Sequence, residues 1–259
     1  MMAHELAAPR ILLPRGSSPF VLLCDHASYH IPVELHDLGL PASEVTRHIA
    51  WDVGAAGVTE ALSKILDAPA ILSNISRLVI DCNRQLDASD LIPEVSDGTR
   101  VPGNVNLAES SKAARIESWF RPYHDAVESV LLEREARGVE SIPISIHSMA
   151  PSHGGKSRPW KVALSSYLDR RLTDPVLAAL RRQGDSMGGD CVVGDNEPYD
   201  LDPAVDYSIP FHALRRGWQH LQVEFRQDEI PNATTQRRWA LRFAQALVVA
   251  VSARMELRS

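Results

Sequence analysis

Cysteine is scarce in this chain of 259 residues: Cys24, Cys82 and Cys191 are widely spaced, and no Cys-x-x-Cys pair occurs. Three such thiols make neither a disulfide framework nor a thiolate zinc cluster. Positive charge is also in deficit, with 27 Lys and Arg against 33 Asp and Glu and a formal charge of −6, so no overall basic field exists to attract nucleic acid. No apolar run approaches the roughly 20 residues of a membrane span. Residues 1–19 hold only short apolar stretches such as Ile11-Leu12-Leu13, stopped by Pro14. That is too short for a secretory leader, and the expectation is a cytoplasmic protein with neither nucleic acid nor membrane as partner. Internal repeats, heptads and low-complexity blocks are absent. So are a Gly-x-Ser-x-Gly nucleophile elbow and a His-Glu-x-x-His zinc helix. What remains is an ordinary globular composition, 44% hydrophobic and 23% charged, carrying ten histidines. With so few thiols, imidazole and carboxylate are the metal ligands left. The length favours one sizeable α/β domain over residues 1–259 rather than two small ones.

The apolar run Phe20-Val21-Leu22-Leu23-Cys24 has the length of a buried strand and ends in Asp25-His26-Ala27-Ser28. Residues 52–66 read as a helix with a broad apolar face. Strands are expected at 70–73 and 78–80, the second ending in Asp81-Cys82-Asn83-Arg84. Residues 88–106 are too irregular for an element and read as a long loop. A helix over 111–137 contains Pro122, which should kink or restart it. A strand at 142–146 runs into His147-Ser148-Met149, followed by a Gly/Ser/Pro-rich loop at 151–159. Further strands are expected at 161–164, 191–193 and 220–225, with helices at 174–183 and 234–253. This alternation argues for a largely parallel sheet covered on both faces, in which ligands gather outside the carboxyl ends of the strands. Four expected strands end in site chemistry: His26, the 81–84 cluster, His147 and Glu224-Phe225-Arg226. Two imidazoles and one carboxylate make a three-ligand zinc set with the fourth position open, and a further carboxylate can act as general base.

The chain resembles the N-formylglutamate amidohydrolase family, within the zinc carboxypeptidase-like and aspartoacylase-like hydrolases. The resemblance rests on Cys24-Asp25-His26-Ala27-Ser28 with Ile31-Pro32, on Asp52-Val53-Gly54-Ala55, and on the run from Ser76-Arg77 through Asp81-Cys82-Asn83-Arg84. It continues in Pro122-Tyr123-His124, Ile146-His147-Ser148-Met149, Asn196-Glu197-Pro198-Tyr199 and Val223-Glu224-Phe225-Arg226-Gln227-Asp228. The Asp25-His26 start departs from the Pro-His of members closer to the enzyme of histidine degradation, which bears on the substrate rather than the reaction class. The resemblance implies a three-layer α/β/α sandwich with a mostly parallel, mixed central sheet, phosphorylase/hydrolase-like. It implies one divalent metal ion, zinc by default, on His26, His147 and an acid. The acid is Asp52 by resemblance, with Asp25 and Asp81 as competitors. It also implies that Glu224 activates water and that a small acidic N-acyl amino acid is cleaved, as N-formyl-L-glutamate to formate and L-glutamate. A homo-oligomer is compatible with the sequence.

Each assignment has a plainer counterpart. Asp52 opens the expected helix and could be its N-cap, worth about 1 kcal/mol. Glu224 could pair with Arg226. Arg77, Arg84 and Arg158 are candidate clamps for substrate carboxylates, and one of them, with Arg77 foremost, could steady the developing oxyanion; each could equally pair with an acid. Asn83 and Asn196 could orient substrate but also suit turns. His124 and His212 are weaker candidates, and Cys24 and Cys82 read as small buried hydrophobes. The competing functions are another deacylase or peptidase on the same scaffold and a non-catalytic small-molecule binder.

Overall fold

The computed structural model describes residues 8–186 and 191–256; residues 1–7, part of the 1–19 segment read above for targeting signals, lie outside them. Seven strands form one sheet: β1 (Arg10–Leu12), β2 (Phe20–Cys24), β3 (Ala70–Leu72), β4 (Ile142–Met149), β5 (Val162–Ser165), β6 (Val193–Asp195) and β7 (Leu221–Arg226). Their spatial order is β1-β3-β2-β4-β7-β5-β6. The central four, β3, β2, β4 and β7, are parallel, while β1 and β5 run antiparallel to their neighbours β3 and β7. The sheet is mixed, with helices on both sides.

Alternation along the strands assigns the faces. Leu22 and Cys24, Ile144 and Ile146, Leu221, Val223 and Phe225 all enter one core. That core is closed by α1 (Ala55–Leu66), α3 (Thr173–Ser186) and α4 (Ala233–Glu256) through residues such as Leu62, Leu180 and Phe243. On the opposite face Val21, Leu23 and Ile71 pack under α2 (Arg121–Ala136), against Tyr123, Val127 and Leu131. Over β4 and β7 that same face is polar: Ser145 and His147 alternate with the isoleucines, and Gln222 and Glu224 with the apolar residues of β7. Register places Ser145 opposite Gln222 and His147 opposite Glu224.

Several expectations need correction. Leu78-Val79-Ile80 is fully buried but is not a strand. It is a turn in which Val79 N–H bonds Ser76 O, while side chains replace the missing ladder: Asn104 Nδ2 donates to Leu78 O and Arg115 Nη1 to Val79 O. The strand expected at 161–164 is present as β5 but antiparallel to β7, and the one expected at 191–193 begins two residues later as β6. The 88–106 loop contains a two-residue hairpin, Val95–Ser96 with Thr99–Arg100. It is turned by Asp97-Gly98, both at positive φ as a type I′ turn requires. The 151–159 loop carries a second hairpin turned by Gly154-Gly155. The helix expected over 111–137 starts at Glu109 and passes through a wide turn at Ile116–Phe120, where Arg121 N–H reaches Ile116 O. Pro122 sits in the first turn beyond it, where its missing N–H is least disruptive.

Arg134, wholly buried at the end of α2, ties these layers together. Its Nε donates to Ser141 Oγ (3.0 Å), Nη1 to Gly16 O (3.0 Å), and Nη2 to Ser18 O and Glu140 O. Replacing it strands several buried acceptors at once. Arg134→Met should lower unfolding stability by about 3 kcal/mol or more in denaturant titration, the cost of leaving such groups unpaired. The specific activity of the folded fraction should not change.

Candidate active site

The site lies on the polar half of the second sheet face. Asp52 is not a helix N-cap: α1 begins at Ala55, and Gly54 (φ 82°) turns the chain into it. A Cβ at Gly54 would sit 2.6 Å from Ile230 O, so the turn needs glycine on two counts. Asp52 N–H bonds His26 O, which presents the carboxylate to the sheet. Asp52 Oδ2 lies 2.9 Å from His147 Nδ1 and 3.4 Å from His26 Nδ1, and it accepts from Ser148 N–H (3.2 Å). These three groups, all buried, bring one donor atom each within 4.8 Å of one another.

The far side of each ring is engaged. His26 Nε2 is 2.7 Å from Asp81 Oδ1, so it carries the proton and donates, and Nδ1 has no hydrogen-bond partner. Ser145 Oγ donates its one proton to Asp25 Oδ2 (3.1 Å) and therefore accepts from His147 Nε2–H (2.9 Å). Ser208 Oγ donates to Asp25 Oδ1 (2.6 Å). In the neutral rings both Nδ1 lone pairs thus face Asp52. Imidazoles held from behind by carboxylate or hydroxyl, with lone pairs converging on a carboxylate oxygen, are a donor set that could hold a divalent cation. The orphaned His26 Nδ1 fits that group and is otherwise an unpaid desolvation. Of the competing acids, Asp25 and Asp81 stand behind the rings.

Electrostatics follow from this packing. Burial alone would raise the carboxyls of Asp25, Asp52 and Asp81. Instead, His147 holds Asp25 well below the usual range, His26 and His147 do so for Asp52, and Arg77 with His26 for Asp81. Conversely, burial opposes charge on both rings, yet Asp81 and Asp52 raise His26, and Asp25 and Asp52 raise His147. Glu224 differs. Burial pushes it up to about 7, only partly offset by His147, and it has no hydrogen bond or ion pair with any described residue. Arg226, two residues further at the end of β7, pairs with Asp228 (2.7 Å) instead.

A cavity of about 500 Å³ opens over this centre. Of the three arginines lining it, Arg77 is committed to Asp81 (2.8 Å) and Asp52 (3.3 Å), and Arg84 to Asp90 (2.9 Å) and Asp206 (3.8 Å). Arg158, 7% exposed, has no carboxylate partner among the described residues. It bonds Ala150 O and the Tyr199 hydroxyl and lies over the Tyr199 ring. Asn83 lines the cavity, but its amide is spent on Asp206 and on the backbone N–H groups of Tyr207 and Ser208. Asn196 does not line the cavity: its Oδ1 accepts from Ser166 N–H. His124 and His212 hydrogen-bond each other (3.0 Å) away from it, and burial pushes the Cys24 and Cys82 thiols up, out of reactivity. Sequence reasoning missed Ser145 and Gln222, whose signal was present: each sits two residues before His147 or Glu224 in an otherwise apolar strand.

A mixed α/β sheet carrying buried imidazole and carboxylate donors beneath an arginine-lined cavity defines a hydrolase-type centre. The model of the N-formylglutamate amidohydrolase family matches residues 18–230, and the chain belongs to that family. Among solved structures it is similar to the gene product Atu2144 from Agrobacterium tumefaciens, at 32% identity and TM-score 0.89 over 95% of both chains. It also shares its fold with the N-formylglutamate amidohydrolase from Ralstonia eutropha JMP134, at 20% identity and TM-score 0.67, covering 96% of this chain and 99% of that one. No curated protein matches. Among the described residues no helix is long and apolar enough to cross a membrane.

Because the neighbouring carboxylates favour protons on His26 and His147, a cation must displace them. If a divalent cation binds here, zinc affinity should rise with pH through and beyond the ordinary histidine range, with proton release seen by calorimetry in buffers of different ionisation enthalpy. Asp81→Asn should weaken zinc binding about 10–100-fold by releasing the His26 ring.

Proposed function

We propose that this chain is a metal-dependent amidohydrolase that cleaves the linear amide of a small N-acyl amino acid, N-formyl-L-glutamate being the substrate its family name carries. One arrangement supports this reading above others: His26, His147 and Asp52 converge while Glu224, alone among the buried acids described, stays unpaired beside them. Held by His26, Asp52 and His147, a divalent cation, zinc by default for such ligands, would supply Lewis acidity to an acyl carbonyl and to a water near neutral pH.

The chain's own groups do the rest. Glu224, titrating near neutrality, takes a proton from the water whose oxygen adds to the acyl carbon. It returns that proton to the amide nitrogen as the C–N bond breaks, leaving the acid and the free amine. Arg158, the arginine of the cavity with no carboxylate partner among the described residues, receives the substrate carboxylate. Arg77 acts as a positioning residue, orienting Asp52 and Asp81 and presenting a positive edge to the developing oxyanion. Arg84, Asn83 and Asn196 hold the loops around the substrate rather than the substrate itself.

Glu224→Gln should keep bound metal, measured by elemental analysis, and lose kcat by about 100-fold or more; turnover at the parental rate would place the base elsewhere. Arg158→Met should raise KM about tenfold or more with a smaller change in kcat. Full activity after prolonged chelation would overturn the metal requirement.

A further inference from the structure

We infer that Gln222 is a specificity-determining residue of this centre: its amide N–H donates to an oxygen at the far end of the substrate's side chain, selecting N-acyl amino acids with a side chain of glutamate or glutamine length. This rests on the amidohydrolase reading above and names the residue that selects the amino acid rather than one that cleaves the amide.

Of the buried polar side chains that line the cavity, two have no hydrogen bond with any described residue: Glu224 and Gln222. Glu224 has a task in the reaction. Gln222 is 4% exposed and has none. A native interior rarely leaves a buried amide unpaired, so this one calls for a partner from outside the chain. Its Oε1 is enclosed, whereas Nε2 is not, and the N–H end is therefore the one shown to the cavity. An N–H there is satisfied by a ligand oxygen.

The neighbours on the sheet do not take that N–H. Register sets Gln222 opposite Ser145 on β4 and Ser165 on β5. Ser145 Oγ is held between Asp25 and His147, and Ser165 Oγ donates to Tyr199 O. The other buried or half-buried donors of the wall are committed to acids: Arg77 to Asp81 and Asp52, Arg84 to Asp90, and Asn83 Nδ2 to Asp206. Once Arg158 has received the α-carboxylate, Gln222 is the buried donor left for a second acceptor on the substrate.

Position along β7 identifies that acceptor. Gln222 and Glu224 have side chains of equal length, on one face of the strand and two residues apart, so their tips are offset by about 6–7 Å. Glu224 works at the acyl carbon. In an N-acyl amino acid the α-carboxylate carbon is three bonds from the acyl carbon, at most about 4 Å away. The terminal carbon of a glutamate or glutamine side chain is five bonds away, at about 6 Å. The second spacing matches the offset and the first does not, while aspartate falls one bond short. Carboxylate and carboxamide both present the oxygen that the N–H needs.

The test is kcat/KM on the N-formyl derivatives of L-glutamate, L-glutamine, L-aspartate and L-norleucine, for the zinc-loaded parent and for Gln222→Met, whose side chain has similar length and no donor. In the parent, glutamate or glutamine should exceed norleucine and aspartate by about tenfold or more, because the other two leave the buried donor unpaired. Which of the two leads separates carboxylate from carboxamide. Gln222→Met should cost the leading compound about tenfold, mostly in KM, and norleucine about threefold or less. A parent that does not separate glutamate and glutamine from norleucine, or a variant that lowers all four compounds alike, overturns the inference. So does a variant whose zinc content or Tm falls together with a uniform loss, since that is a structural role. Calorimetric binding of the same compounds to zinc-loaded Glu224→Gln, with and without Gln222→Met, reads the contact without turnover. If no compound is hydrolysed yet the binding contrast holds, the amidohydrolase reading fails and the role of Gln222 stands. If glutamate is hydrolysed and the contrast is absent, the role of Gln222 fails and the amidohydrolase reading stands.

Discussion

The carboxylate of Asp52 is the point on which the site turns. Its Oδ2 faces two imidazole nitrogens and accepts a backbone N–H from the end of β4, and its Oδ1 takes a guanidinium N–H of Arg77. A buried carboxylate is tolerable only with such company. The same contacts join the approach to α1, the carboxyl end of β4, the segment after β2 and the 76–84 turn. Each of those segments depends on the others for its charge balance. Asp25 and Asp81, behind the two rings, carry the same requirement one step further out. The arrangement holds more negative charge than Arg77 alone offsets. The deficit is met by protons on the imidazoles, or, in the proposed reading, by a dication that replaces them.

The sheet makes this possible by treating its two faces differently. One face is apolar across every strand and is closed by three helices. The other is apolar only over β2 and β3, under α2, and turns polar over β4 and β7. Of the helices described, only the short Ser208–His212 reaches the polar half, through Ser208 and Asp25. The rest of it is roofed by loops whose backbone groups are satisfied by side chains, as Asn104 and Arg115 do for the 78–80 turn. Reversal of β5 against β7 lets the strap before it carry Arg158 back over the cavity. Arg226 anchors that strap by donating to Arg158 O.

Much of this was legible in the sequence. Uninterrupted apolar strands such as Phe20–Cys24 identify themselves by length and composition, and His26 and His147 are conspicuous because they follow or end such runs. The 78–80 segment misled for the same reason: three buried apolar residues look alike in a strand and in a turn, and only the distant Asn104 and Arg115 decide between them. Ion pairing was equally beyond local reading. Arg77, Arg84 and Arg158 are chemically identical in the sequence, and what separates them is whether an acid from another segment reaches them. Asn196 looked like a ligand because it stands in a specific motif, whereas its side chain caps the Ser166 backbone. Gln222 and Ser145 were readable in principle, since a lone polar residue two positions before a site residue on a buried strand shares its face.

The two parts of the cavity also differ in what constrains them. The donor set is built on β4 and on segments locked by buried charge, so changing one of its members leaves another uncompensated. The wall around Tyr199, Asp200 and Asp202 is a loop with exposed acids that satisfy no buried group. Substitution there leaves the sheet and the imidazoles undisturbed, because nothing in the core leans on those carboxylates.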